Sequence, residues 1–278
     1  MNELVVYLED LRQASQRRAD SIEMLSPEPA QQAITQPSVA VLGASGGCGA
    51  TTLALALAEH LPAARILECR TSPLSTLAAA TTFELGTHAS GWQSGVRDTL
   101  DVAAVAIHRA PQAVTSVLQV PPPEPPGFHG STTVLDVGWR IAELAGWLRH
   151  ALADATAIVV AALGTCSGLT HLEATLREIE ERTDSPITVA LRGPHLKHWP
   201  RPLRATAGPR THRLLEAGSL LPTADDRTLH LLGLTLDPLP RAVAAAGEEI
   251  ARHLQPLLAA AVAPYPGHQL LTFERAPS

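Results

Sequence analysis

The sequence predicts an α/β protein: a doubly wound, mostly parallel sheet flanked by helices, with an N-terminal helical extension. Three observations predict it. Short apolar runs alternate with helical stretches from residue 39 to residue 258, the pattern of strand, crossover and parallel strand. A hydrophobic strand starting at Ser38 runs through a glycine-rich turn into a helix. The chain is 45% hydrophobic but only 3% aromatic, so its core must be built from Ala, Leu and Val, which suits helices laid on a sheet buried on both faces.

The elements follow in order. Leu4, Leu8, Leu11, Ile22 and Leu25 recur at near-helical spacing among Glu, Arg and Gln, which predicts an amphipathic helix over residues 1–25. It stops at a Ser-Pro-Glu-Pro run, and residues 26–37, rich in Pro and Gln, read as a linker. The main domain is expected over 38–260 and a tail over 261–278. Inside the domain, strands are expected at 39–42, 65–69, 102–108, 133–137, 157–163 and 187–191. Helices are expected at 51–60, 141–153, 169–182 and 241–258. The proline run at 121–126 reads as a stiff spacer or a polyproline II ligand. Strand and helix taking turns means right-handed crossovers, with any ligand at the carboxyl ends of the strands, where the glycine turn lies.

Composition excludes several classes. The 278 residues suffice for one large domain plus an appendage. A net charge of −6 argues against a general nucleic-acid coat. Cys48, Cys69 and Cys166 are odd in number and widely spaced, so neither a disulfide framework nor a zinc site is indicated. No apolar run approaches the ~20 residues of a membrane span, and Glu3, Glu9 and Asp10 do not suit a secretory signal. These features lead us to expect a cytoplasmic protein. The twelve histidines form no metal-binding spacing, and no nucleophile elbow occurs.

The glycine turn carries the chemistry. A phosphate-binding loop of the form G-x-x-x-x-G-K-[ST] cradles phosphate oxygens with successive backbone N–H groups, reaches the β/γ-phosphates with its lysine and holds Mg²⁺ with its hydroxyl. Here Gly46, Gly47, Gly49, Thr51 and Thr52 fit, while Ala50 stands at the lysine position and Ala44 at that of the first glycine. Lys197 is the only lysine among 21 Lys and Arg residues. A codon bias toward arginine would put Arg at position 50, not Ala, so Ala50 is a loss of charge.

A second feature is a local reversal of sign. No acidic residue lies between Asp184 and Glu216, while Arg192, Lys197, Arg201, Arg204, Arg210 and Arg213 accumulate beside Trp199. Such a stretch is either a proline-punctuated solvated loop or a basic patch for DNA, an anionic membrane surface or an acidic partner.

From residue 39 to residue 258 the chain resembles the ParA/MinD-type deviant-Walker P-loop ATPases. That family's loop is typically G-K-G-G-x-G-K-[ST]-[ST]; the chain keeps Gly46, Gly47, Gly49, Thr51 and Thr52, but has Ser45 at the signature lysine and Ala50 at the other. The family's acidic pair after the second strand becomes Glu68-Cys69-Arg70, with a cation in place of one acid. Asp136 ends a strand where the resemblance implies a ligand of an Mg²⁺-bound water. Arg192 stands where the family has an Asn that reads adenine, and residues 221–226 resemble the segment that passes over the base.

The resemblance implies a bacterial, cytoplasmic protein of P-loop NTPase fold, associated with a membrane or nucleoid, that positions, tethers or regulates a larger machine of division, partition, secretion or conjugation. Its partner would be a protein of that machine, or a second copy in a homodimer. A hydrogen bond to a charged group contributes ~1.5–3 kcal/mol, so the two absent lysines remove roughly 3–6 kcal/mol, about 10²–10⁴ in affinity for ATP. We therefore expect a pseudo-ATPase that acts through binding. The alternatives are a weak ATPase, with Thr51 and Asp136 holding Mg²⁺ for ATP or ADP, and a DNA- or membrane-associating module that works through the 192–213 stretch.

Overall fold

A computed structural model describes residues 34, 36–70, 76–98, 104–111, 114–123, 132–223 and 225–262. The helix expected over 1–25, most of the linker over 26–37, the second half of the proline run and the tail beyond 262 lie outside the described residues.

The described chain runs β1 (Ser38–Gly43), α1 (Ala50–Ala58), β2 (Ala64–Glu68), α2 (Leu77–Ala80), β3 (Phe83–Thr87), β4 (Gln93–Arg97) and β5 (Val105–Arg109). It continues through β6 (Thr132–Asp136), α3 (Gly146–Ala153), β7 (Ala157–Leu163), α4 (Cys166–Glu180) and β8 (Ile187–Arg192). The last elements are α5 (Arg201–Thr206), α6 (Pro209–Glu216), β9 (Leu220–Thr223), α7 (Arg227–Leu232) and α8 (Arg241–Val262). The strands form one sheet in the order β3-β4-β5-β2-β6-β1-β7-β8-β9. Every pairing from β5 to β9 is parallel; β3–β4 and β4–β5 are antiparallel.

Alternate residues of the central strands feed two core layers, as a pleat of period two requires. On one face Ala40, Leu42, Leu135, Ile158 and Val160 pack with Leu148 and Leu152 of α3 and Leu169, Leu172 and Leu176 of α4. On the other, Val39, Val41, Ile66, Val134 and Val159 pack with Leu53, Leu55 and Leu57 of α1 and Ile250 and Leu254 of α8. The doubly wound parallel sheet expected from the sequence is the one observed.

Several elements differ from expectation. The strand expected from 102 begins at Val105, and the helix expected over 141–153 is a 3₁₀ turn (Ile141–Glu143) followed by α3. The last helix continues to Val262, past both its expected end at 258 and the expected domain limit at 260. The hairpin strands β3 and β4 and the short β9 were not expected. All five residues of β3 are exposed, so it lacks the apolar alternation of a half-buried strand. β9 has four residues and contains Pro222, which suits only a sheet edge.

Candidate phosphate-binding site

The glycine turn leaves β1 at the carboxyl edge of the sheet. Its start is fixed by the Ala44 N–H, which donates to the Ala161 carbonyl of β7 at 2.9 Å. Gly47 (φ +72°) and Gly49 (φ +92°) adopt left-handed backbone that an L side chain resists, and a Cβ on Gly46 or Gly47 would meet nothing within 4 Å. Gly49 is the N-cap of α1 and offers no side-chain cap, so the amides of that first turn remain available to an anion. The Cys48 sulfur lies 2.9 Å from where a Cβ on Gly43 would stand, so this thiol fills the inside of the turn. Gly46, Gly47, Gly49, Ala50, Thr51, Thr52 and Asp136 all line one cavity of about 810 Å³, together with Arg70, Arg140, His171 and Arg192.

Asp136 and the cation Arg70 line this cavity, and a second buried acid, Glu68, stands on the neighbouring strand. In register, Glu68 of β2 faces Asp136 of β6, and both are buried. Arg70, two residues beyond β2, turns its guanidinium onto α1 and donates from Nη1 to Thr51 Oγ1 at 2.6 Å. Its backbone is fixed from the β6 side: Trp139 Nε1 donates to the Cys69 carbonyl, and Gly138 (φ +66°) sits so close that a Cβ there would stand 2.4 Å from Arg70 Cβ. Asp136 is 1% exposed and neither of its carboxylate oxygens has a hydrogen-bond partner. Burial pushes its carboxyl above the ordinary value; the nearby Arg70 guanidinium and Thr51 hydroxyl oppose that rise, the hydroxyl by proximity rather than by a well-formed hydrogen bond. Burial, with Asp136 and Glu68 close by, also pushes the Cys69 thiol well up, which makes it a poor nucleophile.

Arg192 reaches the loop from the opposite side. Placed by the end of β8, it donates from Nη2 to the Gly47 carbonyl at 3.0 Å, and its Nε lies 3.6 Å from Asp225 Oδ1. Of the segment expected over the base, Thr223 and Asp226 line the cavity, and Asp226 Oδ1 caps α7 by accepting from Leu229 N at 2.9 Å.

The six basic residues of the 192–213 stretch do not share one role. Arg192 belongs to the cavity. Arg210 and Arg213 both pair with Glu180 of α4, Arg210 at 2.8 Å, and Arg210 also approaches Glu173 at 3.4 Å. Lys197, Arg201 and Arg204 are exposed, the arginines on α5, and Arg204 Nη2 donates to the Lys197 carbonyl at 3.4 Å. The stretch is therefore not uniform: acids distant in sequence pair with its second half, while Lys197, Arg201 and Arg204 are exposed.

The backbone of the turn suits a phosphate; of the two residues expected to hold a divalent metal, Asp136 keeps both oxygens without a hydrogen bond while Thr51 has its oxygen taken by a guanidinium. Mg²⁺ would need the Thr51 oxygen and a shell of oxygens, and a guanidinium already donates to that oxygen. Two unit charges of like sign about 4 Å apart repel by about 4 kcal/mol at an effective dielectric of ~20, and a divalent ion doubles this. Among the described residues no cluster of three His, Cys, Asp or Glu could hold a metal ion, and no helix is long and apolar enough to cross a membrane.

No protein-family model matches the chain, and no curated protein does. Solved structures do match its fold. A chain of the MinC:MinD cell division protein complex of Aquifex aeolicus superposes with a TM-score of 0.54 at 12% identity, covering 79% of this chain and 96% of that one. A candidate plasmid partition protein of Borrelia burgdorferi B31 bound to AMPPNP gives 0.51 at 10% identity, covering 80% and 99%. A ParA family ATPase of Chlorobium tepidum TLS gives 0.50 at 13% identity, covering 79% and 100%. At such identities the likeness is one of architecture, and that architecture is the fold of the ParA- and MinD-type P-loop ATPases.

Proposed function

We propose that the chain is a catalytically degenerate ParA/MinD-like protein that positions, tethers or regulates a larger assembly through binding rather than turnover. The observation that carries this reading is the state of the loop: the turn keeps its shape, Ala50 replaces the lysine, and Arg70 is bonded to the Thr51 hydroxyl beside Asp136. Phosphoryl transfer depends on cations placed against the transferring group. A fixed guanidinium on the hydroxyl that would ligate Mg²⁺ works against that arrangement. The partner is a protein component of such an assembly or a second copy of the chain; the Aquifex structure, a MinC:MinD complex, is an example of that architecture in a two-protein assembly.

The test is ATP hydrolysis by the purified full chain, alone and with DNA or anionic vesicles. We expect no turnover above a Thr51→Ala control. Turnover abolished by that substitution would establish the weak-ATPase alternative instead.

A further inference from the structure

The glycine turn has no cation of its own, yet two guanidinium groups converge on it from different strands. Arg70, past the end of β2, holds Thr51 Oγ1 at 2.6 Å, and Arg192, at the end of β8, holds the Gly47 carbonyl at 3.0 Å. Between these two anchor points lie the uncapped amides of the first turn of α1. Two further groups make the place a built site. Asp136 is 1% exposed, lines the cavity and has both oxygens unpartnered, with the Arg70 guanidinium as the nearby charge; Arg70 Nε is likewise buried with no partner.

We propose that Arg70 takes the place of the metal ion, so that the loop binds a nucleoside di- or triphosphate without Mg²⁺. This rests on the reading of the pocket as a binding site without turnover. A guanidinium delivers a fixed charge and several N–H donors in one plane, which match phosphate oxygens in pairs. Arg70 supplies it on the α1 side of the turn and Arg192 supplies a second on the β8 side, in place of the missing lysines. A polyphosphate without metal carries its full negative charge and is the form that two arginines and a helix N-terminus favour. The cavity, at about 810 Å³, lies within the range of small-molecule sites and exceeds what a lone phosphate fills, which is why the ligand is assigned a nucleoside.

The experiment is a calorimetric titration of the full chain with ATP, ADP and inorganic pyrophosphate, each in EDTA and in Mg²⁺, with circular dichroism to confirm folding. The expected result is an ATP or ADP affinity in EDTA equal to or tighter than that in Mg²⁺, with pyrophosphate weaker. Arg70→Ala is expected to weaken binding in EDTA by about tenfold or more, the worth of one charged hydrogen bond, and Arg192→Ala to weaken binding in both buffers. Should Arg70→Ala fail to fold, the wild-type comparison of the two buffers decides alone. Binding seen only with Mg²⁺, or no binding of any of the three by folded protein, overturns the proposal; pyrophosphate bound as tightly as ATP overturns its nucleoside part. ATP turnover would instead sink the non-catalytic reading, even where metal-free binding held.

Discussion

Arg70 Nη1 and Thr51 Oγ1 are 2.6 Å apart, and this hydrogen bond ties the end of β2 to the first turn of α1 across the mouth of the glycine turn. Below it lies Asp136, buried and without a hydrogen-bond partner. The guanidinium is thus the nearby charge that compensates a buried carboxylate. Removing one member of such a pair leaves the other uncompensated, which for fully buried pairs costs ~3–5 kcal/mol. Arg70 is partly exposed, so Arg70→Met is expected to cost about 2–3 kcal/mol at pH 7. Adding Asp136→Asn should recover most of that loss. Urea denaturation of the two single variants and the double variant checks it; simple additivity would mean that the two side chains do not couple.

Gly138 offers an independent handle on the same arginine. Its φ of +66° disfavours any L side chain, and a Cβ there would stand 2.4 Å from Arg70 Cβ and 3.2 Å from its Cα. Gly138→Ala must therefore displace either the exit of β6 or Arg70. We expect a stability loss of about 1–3 kcal/mol, with nucleotide binding in EDTA weakened as by Arg70→Ala. Thermal melts and the same titration read both effects; unchanged binding would mean that the arginine position does not matter to the ligand.

A buried cation with four hydrogen-bond partners lies away from the cavity. Arg97 of β4 is 1% exposed and bonds Glu59 Oε1 at 2.6 Å, Ala80 O at 3.0 Å, Thr235 O at 2.9 Å and Asp237 O at 2.8 Å. One side chain thereby joins the antiparallel hairpin to the end of α1, to α2 and to the chain before α8. Arg97→Met would strand the Glu59 charge and three carbonyls, and is expected to cost ~3–5 kcal/mol. Chemical denaturation measures this; a loss below about 1 kcal/mol would mean that the hub is dispensable.

The parallel core was legible because its strands are buried on both faces and so read as unbroken apolar runs, as in 157–163. β3 was not, since Phe83 and Leu85 point to solvent at 59% and 65% exposure and leave no buried face to betray a period of two. At the site, glycine spacing revealed the turn, and the family resemblance pointed to Asp136. The place of Arg70 depends on β2 lying next to β6, with Glu68 opposite Asp136, a neighbourhood between residues 68 positions apart. The pairing of the basic stretch was hidden for a related reason: it is free of acids in sequence, but α4 brings Glu173 and Glu180 to Arg210 and Arg213 in space.

Glu173 provides a pH-dependent test of that last contact. Its carboxylate caps α6 from outside, accepting from the N–H of Arg210 at 3.0 Å, the N–H of Thr211 at 3.1 Å, the Thr211 hydroxyl at 3.0 Å and Arg210 Nη1 at 3.4 Å. Burial alone would raise its carboxyl, but these donors outweigh burial and hold it below the ordinary 4.5. A carboxylate with a depressed native pKa stabilises the fold fully above its unfolded value, and that contribution disappears as pH falls through the native one. Glu173→Gln is therefore expected to cost about 1–2 kcal/mol at pH 7, where one charge-assisted acceptor becomes neutral in a partly exposed setting. The gap between wild type and variant should hold down to about pH 5 and close as the pH falls below the ordinary carboxylate value. Denaturation midpoints of both proteins from pH 7 to pH 3 check it; a gap that does not change with pH would show that the loss comes from packing against Gly208, whose backbone lies against this side chain, rather than from charge.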